Sequence, residues 1–361
     1  MIEGTVPTEI RQGPGAIRAT VASARASAQD VAARWRAQGI RRVHVIGNGT
    51  SLHSSIASAQ LYRHLAGADD PVVVPLTAAE FLTYPPALGP ADAIVGISSS
   101  GEFRDVIAVA ERVRGTTPMA GIVHVPGSSL TRVASDLVFS AGGPSTVPVM
   151  TKTFSATLAA TEILLLALLG GERADRGVAG ILAAADAAEA AIAAAEPLVE
   201  PLAAELRGTE HFFVAGGGLG YPAALEAALK LKEMALVHAE GAEVWEMESG
   251  AATMLGPGAV VIALAPEGPA RLALAQLLAH AAEWGARTIE VGEERLVPGS
   301  TLLPLPAGTD EEHAPLLAVP PVALFAFALA RARGANPDHP GWIERYHAQG
   351  LRHILVGEAP A

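Results

Sequence analysis

The 361-residue sequence contains no cysteine. Disulfides, thiolate metal sites and a cysteine nucleophile are all excluded together, and a reducing cytoplasmic setting fits. Aromatic residues make up only 4% of the chain, so a core must be built mostly from Ala, Leu and Val. Charge is also scarce at 17%, and basic charge scarcer still: 25 Lys and Arg face 37 Asp and Glu, a formal net charge of −12. Such a chain has no general basic field to neutralise a nucleic-acid backbone. A small anion held by a local site is not excluded. The N-terminal "MIEGTVPTEIRQGPGAI" lacks an apolar signal core. The most apolar run, "TLAATEILLLALLGG", is interrupted by Glu162 and short for a membrane span. It reads as a buried helix, and no membrane association is expected.

What is present is apolar: hydrophobic residues are 50% of the chain, enough for a large core and too many for disorder. The length suggests two domains at roughly 150 residues each. The first half alternates strand and helix signals. "RRVHVIG", "PVVVPL", "DAIVGIS", "MAGIVHV" and "DLVFS" are short apolar runs. Between them lie helical spacings, at residues 51–65 and in "FRDVIAVAERVRG", which stops at Gly115. This alternation predicts an α/β fold, a parallel sheet with helices on both faces. From 151 to 206 the chain turns helical and alanine-rich, with breaks predicted at Pro197 and Pro201. The second half repeats the pattern coarsely: strands "HFFVAGG", "AVVIALAP" and "RTIEVG", helices "RLALAQLLAHAAEWG" and "PPVALFAFALARARG". The expected domains are 1–195, with an N-terminal helix and helical connector, and 196–361, with a C-terminal tail.

Two loops of the first half have a setting suited to chemistry. "GNGTSLHS" and "SSSGEF" each follow a strand and open a helix. A helix N-terminus offers free N–H groups and partial positive charge, which suit phosphate. Gly49 and Gly101 let the backbone approach closely, and Thr50, Ser51, Ser98, Ser99 and Ser100 add hydroxyls. Taken singly, such hydroxyls read as helix caps; two loops on one sheet favour phosphate. Neither loop gives G-x-G-x-x-G, and "VVVPLT" lacks the acidic residue that would grip a ribose. No nicotinamide, flavin or other cofactor is expected, and no P-loop is present. Histidine spacing suggests no metal site.

The second half holds one unusual helix. "ALEAALKLKEMALVHAE", residues 224–240, is mostly apolar, yet Glu226, Lys230 and Glu233 fall on one stripe. On spacing alone this is either a solvated ion pair or a proton-transfer site. His238 belongs to the same predicted helix but off the stripe, as a core or interface residue. His44 and His53 read as packing or cap neighbours.

"GNGTS", "ISSSGE", "TKTF" and above all "YPAALEAALKLKEMALVHAE" together resemble the sugar isomerase (SIS) domain family, in its form with two tandem domains. The resemblance spans nearly the whole chain. It implies that Gly49, Thr50, Ser51, Ser98, Ser99 and Ser100 hold the phosphate and hydroxyls of a phosphosugar, and that Lys152 lies in a segment closing over the sugar. It implies that Glu233 is the base moving a proton between C1 and C2, with Lys230 positioning or polarising the sugar. "NPDHPGWIERYH" resembles a weakened form of the family's tail, with Arg345 where a catalytic lysine sits. Other positions depart too. Ser249 stands where a ring-opening histidine is usual, and Phe103 where a threonine often follows the "SGE" turn. His339 and His313 are candidates to replace that histidine. The expected activity is an aldose–ketose isomerase, or a deaminase or deglycase, acting on an amino-sugar or fructosamine 6-phosphate. The alternative is a phosphosugar sensor without turnover. With no cysteine to serve a glutaminase, glutamine-dependent amination is not expected. By resemblance the partner is a second copy, a homodimer with sites at its interface.

Overall fold

The short apolar runs of the first half, each ended by Gly, Thr, Ser or Pro, become strands in a computed structural model that describes residues 2–342. These are β1 (Arg42–Gly47), β2 (Val72–Thr77), β3 (Asp92–Ile97), β4 (Met119–Val123) and β5 (Asp136–Phe139). They pair in the order β2-β1-β3-β4-β5, all parallel. The central strands are buried on both sides, as continuous apolar runs require. Pro75 is tolerated in β2 because that strand is an edge, where a missing donor leaves no neighbour unpaired. Ile46 and Ile94 pack on Val106 and Val109 of the helix Arg104–Val113, forming one apolar layer.

The second half forms β6 (His211–Gly216), β7 (His238–Glu243), β8 (Ala259–Ala265), β9 (Arg287–Gly292) and β10 (Thr301–Pro304). Their order is β10-β9-β8-β6-β7, again all parallel. β6 and β8 therefore correspond to β1 and β3, and the duplication holds strand by strand. Phe213 and Val261 pack on Leu274 and Leu277 of the helix Arg271–Glu283. The two parallel sheets flanked by helices agree with the fold expected of tandem SIS domains. The sequence reading missed β7 and β10. Both are edge strands with partly exposed residues, so neither needs the apolar run that marks a central strand.

Three further expectations are corrected. Pro197 and Pro201 do not break the connector; both lie inside one helix, Gly171–Leu206. The carbonyls they leave without a donor, those of Ala193 and Pro197, are on exposed residues. Water can satisfy them, while buried Ala195, Val199 and Leu202 hold the other side of the helix. The striped helix ends at Ala235, not beyond His238, because Leu236 turns left-handed at φ 55° and ψ 39°. His238 instead opens β7, exposed, with its ring 5.7 Å from that of His211.

The chain divides into two units that are discontinuous in sequence. One contains Gly15–Ser145 and Lys152–Leu182, with the first sheet; the other contains Ala183–Pro340, Thr146–Thr151 and residues 2–14, with the second. Side chains distant in sequence bind the N-terminal arm into its unit. Asp338 accepts from Thr5 N at 3.0 Å and Val6 N at 2.8 Å, capping the helix Thr5–Ala37. Thr146 N donates to Glu9 Oε1 at 3.0 Å. Lys152–Leu169, Gly171–Leu206 and Glu311–Ala332 are long and apolar enough to cross a membrane; the first, and the most apolar 18 residues of the third, are buried within the fold.

Candidate functional site

In the first unit, the site begins where β1 ends. Gly47 must be glycine, because a Cβ there would lie 2.6 Å from Ser51 Cβ. Two residues on, Gly49 has φ 54°, a left-handed conformation that favours glycine. The chain then enters the helix Thr50–Leu65 without a side-chain cap. Thr50 and Ser51 open this helix, both buried. β3 ends in the same way. Ser98 Oγ accepts from Phe103 N at 3.3 Å and Ser100 Oγ from Glu102 N at 3.2 Å, so these two hydroxyls shape their own turn. Ser99 is partly exposed between them. The helix Arg104–Val113 follows, also without a side-chain cap. Its predecessor Phe103 packs against the apolar layer of the first sheet. The hydroxyls thus do not act as ordinary caps, and two helix starts keep their positive ends at the switch point between β1 and β3.

The two turns are joined. Asn48 Nδ2 donates to Asp105 Oδ2 at 3.1 Å. Asp105 is fully buried, and burial pushes its carboxyl up while the Asn48 bond pulls it down; the net shift is upward. The sequence reading missed both residues. A signal was present: Asp105, Val109 and Val113 share one buried stripe at intervals of four, and a carboxylate there needs a reason. Glu102 closes the turn from the other side. Ser129 N donates to its Oε1 at 2.8 Å, and hydrogen bonds from Ser129 hold this carboxyl below its ordinary range. Lys152 is placed as the buried first residue of the helix Lys152–Leu169, in the same unit.

In the second unit, the helix Tyr221–Ala235 carries the charged stripe. β7 lies close against it, and Gly241 permits this: a Cβ there would be 2.6 Å from Ala224 O. Lys230 Nζ is 3.0 Å from Glu226 Oε1 and 2.6 Å from Glu233 Oε2. The Lys230 and Glu226 side chains are 1% and 0% exposed, whereas Glu233 retains 26%. Burial alone would push the Lys230 ammonium down, but the two carboxylates outweigh it and leave its pKa raised. Lys230 is therefore a fixed cation, and Glu233 is the member of the stripe that meets solvent. This rules out the solvated-face reading for two of the three residues.

Ser249, His313 and His339 all belong to the second unit. Ser249 is exposed and its hydroxyl donates to Trp245 O at 2.8 Å, closing the short helix Val244–Glu248. His313 is buried at the start of the helix Ala314–Leu317. His339 is exposed, its amide donating to Asn336 O at 3.1 Å. Arg345 lies outside the described residues. Among the described residues no three His, Asp or Glu side chains gather as a metal cluster.

Comparison with known proteins bears on the family and the fold. The SIS domain family matches residues 38–167 and 205–295, one segment in each half of the chain. The chain belongs to the SIS domain family. Among curated relatives, glutamine–fructose-6-phosphate aminotransferase (isomerizing) of Gloeobacter violaceus is 34% identical over 316 residues, covering 83% of this chain and 51% of the relative. The enzyme of the same name from Methanothermobacter thermautotrophicus is 30% identical over 305 residues, with 83% and 50% covered. The SIS chain thus spans about half the length of the curated relatives it matches. Among solved structures, the C-terminal domain of glucosamine-fructose-6-phosphate aminotransferase from Francisella tularensis superposes with a TM-score of 0.85 at 20% identity, covering 94% of this chain and 99% of that one. Tagatose-6-phosphate ketose/aldose isomerase from Escherichia coli gives 0.76 at 19% identity, with 94% and 95% covered. These two likenesses establish the tandem SIS fold.

Proposed function

We propose that this SIS protein binds a phosphorylated sugar and moves a proton between its C1 and C2 carbons. It does so as an aldose–ketose isomerase, or as a deaminase or deglycase of an amino-sugar or fructosamine 6-phosphate. The observation that carries the reading is the asymmetry of the charged stripe. Glu226 and Lys230 are buried, while Glu233 keeps exposed surface with Lys230 Nζ at 2.6 Å. A single carboxylate can take the proton from one carbon and return it to the next. The neighbouring ammonium stabilises the negative charge of the enediolate between those steps. Glu226 holds that ammonium in place. Thr50, Ser51, Ser98, Ser99 and Ser100, with the uncapped helix starts, hold the phosphate, and Gly49 gives it room to approach. Lys152 and Arg345 belong to the same proposed binding set. The curated relatives support the substrate class, since their name contains fructose 6-phosphate and an isomerizing activity.

A second reading, binding without turnover, is favoured by Ser249, whose hydroxyl is engaged with Trp245 O and offers no ring-opening base. One experiment separates the two. The protein is incubated in heavy water with fructose 6-phosphate, glucosamine 6-phosphate and fructosamine 6-phosphates, and the C1 and C2 protons are followed by NMR. Deuterium uptake or product that disappears in Glu233→Gln is the expected result. Saturable binding with neither would sink the enzyme reading for those sugars.

A further inference from the structure

β4 ends at Val123, and the next residue, His124, reaches two other turns of the first unit. Its amide donates to Ser99 O at 2.8 Å, in the turn 98–103 after β3. Its ring lies on the segment that follows β5. Nε2 is 2.6 Å from Gly143 O, and Nδ1 is 3.2 Å from Ser140 O and 3.3 Å from Ser140 Oγ. A carbonyl can only accept, so the short contact assigns the ring proton to Nε2, and Nδ1 then accepts from the Ser140 hydroxyl. In the sequence His124 is one more residue of the run "MAGIVHV", and nothing local marks it.

The segment 140–143 is shaped to lie against the ring. Gly143 is left-handed, at φ 68°. Gly142 leaves room: a Cβ there would lie 3.3 Å from His124 Cε1 and 3.4 Å from Ala156 Cβ. Ala156 belongs to the helix Lys152–Leu169, so the segment runs between that helix and the ring. It is pinned elsewhere too, since Ala141 N donates to Thr20 Oγ1 at 2.9 Å. The helix Lys152–Leu169 packs in turn along Thr50–Leu65, which opens with Thr50 and Ser51. In a parallel sheet the segments that follow successive strands share its carboxyl edge. His124 therefore couples the serine turn after β3 to the rim formed after β5.

We propose that His124 is a positioning residue of the first crevice, holding the 140–143 segment as a rim against which the sugar of a bound phosphosugar rests. This rests on the phosphate reading of that crevice. Phosphate alone is held by the turns and helix starts, and their backbone bonds do not depend on the side chain at 124. A sugar phosphate extends beyond them to the rim. Loss of the ring therefore weakens sugar phosphate and spares inorganic phosphate, whereas general damage to the fold weakens both.

The test uses the full chain, with His124→Leu and His124→Gln alongside. Fructose 6-phosphate, glucosamine 6-phosphate and inorganic phosphate are titrated by calorimetry, and amide exchange of residues 140–143 is followed by mass spectrometry. Glutamine carries an N–H near the place of Nε2; leucine has none. His124→Leu is expected to exchange faster at 140–143 and to bind the sugar phosphate about ten-fold more weakly, the order of one lost hydrogen bond. Its affinity for inorganic phosphate is expected to hold. His124→Gln is expected to restore both the slow exchange and the sugar affinity. Unchanged exchange in His124→Leu overturns the proposal. So does an equal loss for sugar phosphate and phosphate, full sugar affinity in a chain whose segment exchanges fast, or a His124→Gln that behaves as His124→Leu. If leucine prevents folding, His124→Ala takes its place under the same outcomes. If the unsubstituted chain binds no sugar phosphate, the phosphosugar reading fails, and the exchange data alone decide whether His124 holds the segment.

Discussion

Asn48 donates to Asp105 across 3.1 Å, and this bond ties the turn after β1 to the helix that follows β3. The second oxygen of Asp105 has no hydrogen-bond partner, though the side chain is fully buried. A buried carboxylate held by one bond serves position more than stability. It sets the spacing of the two turns proposed to grip phosphate. Asp105→Ala and Asn48→Ala are each expected to weaken fructose 6-phosphate binding about ten-fold, the order expected when hydrogen bonds to a charged group worth about 1.5–3 kcal/mol are misplaced. Isothermal titration reads the effect. Unchanged affinity in both variants would show that the turns keep their spacing without the tie.

The same carboxyl gives a pH prediction with a definite sign. Burial raises the Asp105 pKa in the folded chain, with the Asn48 bond opposing it. Between the unfolded value near about 3.9 and the raised folded value, the folded state binds the extra proton. The contribution of Asp105 is therefore most favourable below the unfolded value and is lost as pH rises through the folded one. Asp105→Asn cannot titrate. Urea unfolding of both proteins from pH 4 to 7 is expected to show the unsubstituted chain losing ground to Asp105→Asn as pH increases. A difference that stays flat, or runs the other way, contradicts the assignment.

The Lys230–Glu233 pair separates stability from chemistry. Lys230→Met leaves Glu226 buried without its cation, and breaking a buried pair in this way costs about 3–5 kcal/mol. Glu233 is partly exposed and Glu226 stays on the buried ammonium, so Glu233→Gln is expected to lower the melting temperature less than Lys230→Met. Its effect falls on proton transfer, where removing a positioned base lowers the rate by about 10²–10⁴. Denaturant unfolding and C1/C2 exchange measured on both variants give the two numbers. A Glu233→Gln protein that exchanges at the original rate removes Glu233 from the proposed mechanism.

The sequence made the central strands, the two serine and threonine turns and the charged stripe legible, because each needs a marked pattern. A strand buried on both sides is apolar along most of its length, as in "DAIVGI", and a left-handed turn favours glycine, as at Gly49. What escaped depends on distance in the chain. Asp338 caps a helix that starts at Thr5, and Glu311 fills a space made by Gly218 and Gly268. No local pattern announces either. The edge strand "HAEGAE" escaped for another reason: its exposed positions admit polar residues, so the alternation is weak. Pro197 and Pro201 misled because local propensity predicts a break, whereas buried Ala195 and Val199 hold the helix across them.

Leu236 ends the helix that presents Glu233, and it does so at a conformational cost. It is the one non-glycine residue with positive φ among the described residues, at φ 55°, and it is 55% exposed. A left-handed backbone brings Cβ too close to the following carbonyl, at a cost of roughly 1–2 kcal/mol for an L-residue. Glycine avoids that clash and is the usual residue where a helix turns left-handed at its end. The chain must turn here, since β7 begins at His238 and leaves no length for a longer loop. The exposed side chain has little burial to lose. Leu236→Gly is therefore expected to stabilise the protein by about 1 kcal/mol, the clash relieved less the added freedom of glycine in the unfolded chain. Chemical denaturation checks it. A loss of stability would instead mean that the leucine side chain contributes packing worth more than the strain, most directly through a second copy of the chain covering it.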